Sequence, residues 1–164
     1  MKPEQVLTER LQLIPQTRED VREEVEQMEP QEAAELSPAW LALLDGSSPA
    51  DPWVHGFVMK DVPGGCNVGK CGFKGPPGEE GVVEIAYFVA PEYRGKGYAT
   101  EAAGALVAYA FADDRVRLVR AHTLMEADAS PRVLTKAGFQ RVGEVMDPDD
   151  GRVSRWERQR GNVH

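Results

Sequence analysis

Between Pro91 and Thr100 the chain reads Pro-Glu-Tyr-Arg-Gly-Lys-Gly-Tyr-Ala-Thr, glycines set among cations at the start of an alanine-rich stretch. Glycine lets the backbone approach a ligand closely and adopt dihedrals that other residues avoid. Where such a loop opens a helix, the first-turn N–H groups have no intrahelical acceptor, and with the helix dipole they favour an anion, typically phosphate. Arg94 and Lys96 add positive charge there. Gly95, Gly97 and Thr100 give G-x-G-x-x-T, which departs from the dinucleotide fingerprint, and the P-loop pattern is absent. The segment contributes Arg94, Gly95, Lys96, Gly97, Tyr98, Ala99 and Thr100 as candidate phosphate-binding residues. Just upstream, Val82 to Val89 is apolar apart from Glu84, which shares a strand face with Ala86 and Phe88. A lone carboxylate in such a strand is a candidate proton acceptor, or one half of a cross-strand ion pair.

Other reactive side chains are sparse. Ser130 either caps the helix it opens or offers a hydroxyl to the reaction. His55, His122 and His164 are scattered, and His55 and His122 read as satisfied strand histidines. Cys66 and Cys71 form a lone C-x4-C without the second pair that a structural zinc site commonly uses, so both read as free thiols and no metal is expected. Arg132 and Lys136, one turn apart, either meet a phosphate or lie on a solvated helix face. The chain carries a net charge of −8, of which residues 1–50 hold −7. That sign opposes nucleic-acid coating and suits either a solvated helix surface or a cationic ligand such as an amine. No apolar run is long enough to span a bilayer and no secretory leader is visible, so the expectation is a cytoplasmic protein.

These residues need a scaffold, and the 164 residues, 41% hydrophobic, suit a single domain over residues 1–164. Arg10 to Ile14 reads as a strand. Thr17 and Asp20 form a capping box for a helix carrying Val21, Val25 and Met28, which Pro30 stops. Ser37-Pro38 opens a second helix around Trp40. Trp53 to Lys60 and Asn67 to Phe73 read as strands joined at Pro63-Gly64-Gly65, followed by the strand Val82 to Val89. Ala99, Ala102, Ala103, Leu106, Val107 and Ala110 give a helix with one broad apolar face. Leu118 to Leu124 is a strand, Ser130 to Lys136 a helix stopped at Gly138, and Phe139 to Val145 with Val153 to Trp156 a closing hairpin. The order β-α-α-β-β-β-α-β-α-β-β predicts a mixed sheet with helices on its faces, an α/β fold.

Arg94, Gly97 and Ala99 match the Q/R-x-x-G-x-G/A coenzyme A motif of the GNAT acetyltransferase superfamily. The stretch from Glu84 to Ala102 resembles the RimJ/RimL-like branch over its whole length. So do Ala121-His122-Thr123-Leu124, Ser130, Val133-Leu134, Lys136-Ala137-Gly138-Phe139 and the opening Thr8-Glu9-Arg10-Leu11. The resemblance implies a twisted, mostly antiparallel central sheet flanked by helices, and acetyl-CoA as co-substrate. Its pyrophosphate would sit on the amides of Gly95 to Thr100 and its pantetheine beside Phe88 and Val89. A backbone N–H there would face the acetyl carbonyl, where negative charge develops during attack. Glu84 and Ser130 are then the expected catalytic groups, with Arg132 near the cofactor. Trp53 and Tyr87 either line the acceptor tunnel or pack in the core. The branch usually carries Asn where this chain has Ala127, so Asp128 either takes over that contact or the contact is missing. Leu134 stands where many superfamily members carry a tyrosine acid. The implied reaction moves acetyl directly to a primary amine, on a protein N-terminus or a small molecule, in a monomer or homodimer that binds neither nucleic acid nor membrane. A non-catalytic acyl-CoA-binding module is the alternative.

Overall fold

The computed structural model describes residues 6–62, 64–125, 129–148 and 151–160. Eight strands form one sheet in the order β1-β2-β3-β4-β5-β6-β8-β7. They are β1 (Val6–Leu7), β2 (Leu11–Pro15), β3 (Phe57–Asp61), β4 (Asn67–Phe73), β5 (Val82–Val89), β6 (Leu118–Leu124), β7 (Gln140–Asp147) and β8 (Gly151–Gln159). Neighbours run antiparallel except β5 and β6, which run parallel. The helices are α1 (Arg18–Gln27), α2 (Pro30–Ala34), α3 (Pro38–Gly46), α4 (Pro52–His55), α5 (Tyr98–Phe111) and α6 (Ala129–Lys136), with a 3-10 turn at Pro91–Tyr93.

Helix α5 buries Ala102, Ala103, Leu106 and Ala110 against one sheet face. That face supplies Leu11, Leu13, Phe57, Met59, Val83, Ile85 and Val119, while Leu134 of α6 joins the same core. Each large side chain removed from water contributes about 1.5–3 kcal/mol. Helices α1, α3 and α4 close a smaller cluster around Val21, Leu44 and Val54. Strand β5 alternates accordingly. Val83 and Ile85 are buried in the main core, whereas Glu84, Ala86 and Phe88 lie on the opposite face. Strands β4 and β5 approach so closely that a Cβ on Gly69 would stand 2.0 Å from the Phe88 carbonyl oxygen.

The capping box on α1 forms as expected, Thr17 Oγ1 accepting from Asp20 N–H and Asp20 Oδ2 from Thr17 N–H. Two expectations are corrected. Trp53 to His55 belong to helix α4 and not to the following strand, because Asp51 caps the Trp53 N–H at 3.1 Å and Pro52 fits the first helical position. Helix α1 ends at Gln27, ahead of Pro30 as expected, and Pro30 opens the short α2. Ser130 is the second residue of α6 rather than its cap.

Candidate active site

Helix α5 opens at Gly97, whose φ of +87° puts it in the left-handed region, and no side chain caps the helix. Among the described residues, no backbone N–H from Gly95 to Thr100 has a hydrogen-bond acceptor; the first helical bond is Glu101 N–H to Gly97 C=O. The result is a row of donors at a helix N-terminus, an arrangement that favours an anion. Arg10, which the sequence reading did not single out, braces this row. Its Nη1 donates to the Lys96 carbonyl at 2.7 Å, its Nε to Glu101 Oε1 at 3.0 Å, and its guanidinium lies 4.9 Å from the Tyr98 ring centroid. Because a trans peptide points C=O and N–H in opposite directions, anchoring the Lys96 carbonyl turns the Gly97 N–H away from Arg10. Burial would raise the Glu101 carboxyl, but the Thr8 hydroxyl and the Arg10 N–H and guanidinium outweigh it and hold the group below the usual carboxylate range.

Beside this loop the sheet parts. Strands β5 and β6 pair only at Val82↔Leu118, Val83↔Val119 and Glu84↔Arg120. On the other edge β5 pairs with β4 along its length, and Lys74 N–H to Glu84 C=O and Ala90 N–H to Val68 C=O, both 2.9 Å, fix which residues face β4. Alternate residues must turn the other way, so Tyr87 and Val89 direct their backbone groups into the opening beyond the last β5–β6 rung. Arg94 folds back onto that edge. Its Nε donates to the Val89 carbonyl at 2.8 Å, and its guanidinium lies 5.4 Å from the Phe88 ring. Phe88 is 56% exposed, and Lys96 is exposed as well. Among the described residues the buried Tyr87 hydroxyl has no hydrogen-bond partner at bonding geometry. Burial raises its pKa, and the neighbouring Ser130 hydroxyl opposes that shift.

Glu84 sits where β5 and β6 separate, with its side chain 22% exposed. Lys74 Nζ approaches Glu84 Oε2 at 2.9 Å and His122 Nδ1 approaches the same oxygen at 2.8 Å. Arg155 Nε–H donates to His122 Nε2 at 3.1 Å. Guanidinium can only donate, so Nε2 must accept and the ring proton lies on Nδ1, facing Glu84. Both contacts fall on Oε2. The cross-strand ion pair expected as one reading of Glu84 forms, with Lys74. His122 enters the site by tertiary pairing, 38 residues from Glu84 in sequence.

On the Ala86–Phe88 face a cavity of about 310 Å³ opens between β4, β5 and helices α1, α3 and α4. Val21, Val25, Met28, Trp40 and Phe88 give it apolar walls. Glu24 lies in its lining, held by Gln16 Nε2 and Lys70 Nζ, and burial lowers the Lys70 pKa. Ala86 borders the cavity, and Glu84 follows on the same strand face about 7 Å further along. Tyr87 also lines the cavity. Trp53 instead joins an aromatic cluster, 4.6 Å from Phe73 and 5.5 Å from Tyr109, while its helix neighbours Val54 and His55 line the cavity. His55 is a structural histidine. Its Nδ1 accepts from Asp51 N–H at 3.0 Å, its Nε2 meets Ser47 Oγ at 2.9 Å, and burial lowers its pKa. Cys66 and Cys71 are free thiols, and burial pushes Cys71 up to about 12. Arg132 and Lys136 are exposed on α6. Ala127 and Asp128 lie outside the described residues. Among the described residues no three His, Cys, Asp or Glu side chains are grouped to hold a metal, and no helix is long and apolar enough to cross a membrane.

A family profile described as an acetyltransferase (GNAT) domain matches residues 7–140. The chain belongs to the GNAT acetyltransferase family. An uncharacterized N-acetyltransferase of Bacillus subtilis (strain 168), YjdG, is 34% identical over 98 residues, covering 58% of this chain and 54% of that protein. The chain spans about half the length of the curated relatives it matches. A Bacillus anthracis acetyltransferase of the GNAT family superposes with a TM-score of 0.68 at 20% identity, covering 95% of this chain and 98% of the other. The aminoglycoside acetyltransferase AAC(6')-Ib, solved in complex with coenzyme A, gives 0.63 at 22% identity, covering 92% and 95%. At these identities the two structures establish the shared GNAT fold, with its mostly antiparallel sheet.

Proposed function

We propose that this GNAT protein is an N-acetyltransferase that moves acetyl from acetyl-CoA to a primary amine by direct attack, without a covalent enzyme intermediate. The observation that carries the reading is the run of unpartnered N–H groups from Gly95 to Thr100 beside the open edge of β5. The residues present fit the co-substrate. The amide row suits a pyrophosphate, and the backbone groups of Val89 and Tyr87 suit an arm that hydrogen-bonds like a strand. The motif residues of β5 and its loop support placement in the RimJ/RimL-like branch.

The chemical difficulty is the amine's proton. An α-amine has a pKa of about 8 and a lysine ε-amine about 10.4, so near neutral pH a base or water relay is needed before the nitrogen can attack. Glu84 accepts that proton at Oε1, directly or through water, while Lys74 and His122 hold Oε2 and fix the carboxylate's orientation. The cavity beside Ala86 receives the amine-bearing end of the acceptor, a small molecule or a chain N-terminus. Its apolar walls exclude water, and the Glu24–Lys70 ion pair lies in its lining. Ser130 and Arg132 on α6, with Arg94 and Lys96 on the loop, complete the proposed coenzyme A side.

The test is a free-thiol release screen with acetyl-CoA across small amines, amino acids, polyamines and N-terminal peptides. Acceptor-dependent thiol release with one class supports the reading. Tight coenzyme A binding with no release for any class would favour an acyl-CoA-binding module instead.

A further inference from the structure

Resting on the acetyl-transfer reading, we infer that the acceptor is a small monoamine with an apolar body, an alkyl or arylalkyl amine that carries one positive charge. Near neutral pH a primary amine arrives as a cation. The lining of the cavity beside Ala86 then decides how many cations, and how much apolar surface, it can receive.

Val21 and Val54 of the smaller core cluster, with Val25 and Trp40 packed against them, form one wall of that cavity, and Met28 and Phe88 extend it. Among the described residues, Glu24 and Lys70 are the charged side chains in the lining, and they pair with each other. Lys70 Nζ meets Glu24 Oε2 and Gln16 Nε2 donates to Oε1, so both carboxylate oxygens are engaged. His55 adds no charge, because burial lowers its pKa and both ring nitrogens are engaged, by Asp51 N–H and Ser47 Oγ. The lining is neutral in sum. A second ammonium group inside it would be desolvated without a counter-ion, which is costly. An alkyl chain instead gains from every methylene it buries.

Size points the same way. At about 310 Å³ the cavity lies at the small end of ligand sites, which span roughly 300–1,000 Å³. At about 30 Å³ for each water-sized group it holds about ten non-hydrogen atoms. Asp20, Glu23 and Glu24 line a second cavity, with Gln16 and Glu24 common to both. The Gln16–Glu24–Lys70 chain is therefore the partition between them, and a polycation reaching the acidic side must break it. Lys70 is the specificity-determining residue, since it occupies the carboxylate that a second ammonium group would otherwise find.

Thiol release from acetyl-CoA with butylamine, hexylamine and 1,4-diaminobutane tests this. In the parent, kcat/KM for butylamine should exceed that for 1,4-diaminobutane by about 10²-fold or more, and hexylamine should gain about two- to fourfold per added methylene. Lys70→Met frees the Glu24 carboxylate and should narrow the butylamine preference at least about tenfold. Its melt should stay near the parent's, because the pair is partly exposed. Glu24→Gln removes the carboxylate and should leave the preference undiminished, which keeps a second variant available. Equal use of the two four-carbon amines, an unchanged ratio in Lys70→Met, or acetylation of N-terminal peptides in place of alkylamines each overturns the assignment. Calorimetry of the same amines into the coenzyme A-loaded protein separates the two readings. Butylamine binding that outranks 1,4-diaminobutane without any thiol release overturns acetyl transfer alone, whereas no binding and no turnover of alkylamines overturns the acceptor class.

Discussion

Replacing Gly97 by alanine tests how the loop is held. At φ +87° a side chain is strained whatever the surrounding space, at a cost of about 1–2 kcal/mol. The new Cβ would also stand 2.8 Å from Arg10 Nη2, so the guanidinium must move and loosen its bond to the Lys96 carbonyl. That contact is exposed and adds at most about 1 kcal/mol. Gly95 provides the control. Its φ is +78°, and an added Cβ there meets nothing within 4 Å, so only the dihedral cost applies. At about 2–4 °C per kcal/mol for a chain of this size, Gly95→Ala should lower Tm by roughly 2–8 °C and Gly97→Ala by a few degrees more. The excess should vanish in an Arg10→Ala background. Coenzyme A affinity, read by calorimetry, should fall about tenfold or more in Gly97→Ala as the Gly97 and Tyr98 N–H groups lose alignment. Equal melts for the two alanine variants, or parental affinity in a folded Gly97→Ala, would refute the account of the brace.

Glu84→Gln retains shape but cannot take the amine's proton, so kcat should fall roughly 10²–10⁴-fold with acetyl-CoA affinity nearly intact, and the loss should shrink as pH approaches the amine's own pKa. Parental turnover across about pH 6 to 9 would reduce Glu84 to an ion-pair anchor. Glu101 has a folded pKa below its unfolded value, so its stabilisation is present above about pH 4.5 and is lost as pH falls through the lower folded value. Glu101→Gln should therefore destabilise the protein at neutral pH and flatten the acid limb of its stability curve, as measured by urea unfolding from pH 3 to 7. Parallel curves for variant and parent would contradict that sign.

What was legible in the sequence is what local chemistry dictates. Thr17 and Asp20 announce a helix start, Gly138 a helix stop with φ +91°, and the glycines before Tyr98 an uncapped helix start. Helix α4 reads as strand because Trp53 and Val54 favour strands, while the Asp51-Pro52 start signal that overrides them is equally local. The site's tertiary partners carried no such signal. His122 reaches Glu84 only because β5 and β6 run parallel, and Arg10 reaches Lys96 only because β2 and the start of α5 converge. Glu24 and Lys70, 46 residues apart, meet across the cavity for the same reason. The sequence leaves Trp53 between the acceptor tunnel and the core; packing sends it to an aromatic core cluster and places Trp40 in the cavity wall.

The central claim is that the Gly95–Thr100 amides and the open edge of β5 hold coenzyme A. Titrating ¹⁵N-labelled protein with coenzyme A and following backbone amides by NMR tests it most directly. Saturable shifts should concentrate at Gly95 to Thr100, Val89 and Tyr87, and inorganic pyrophosphate should reproduce the loop shifts but not those at Val89 and Tyr87. Saturable binding whose shifts lie elsewhere on the sheet, or no saturation with coenzyme A, would contradict the account.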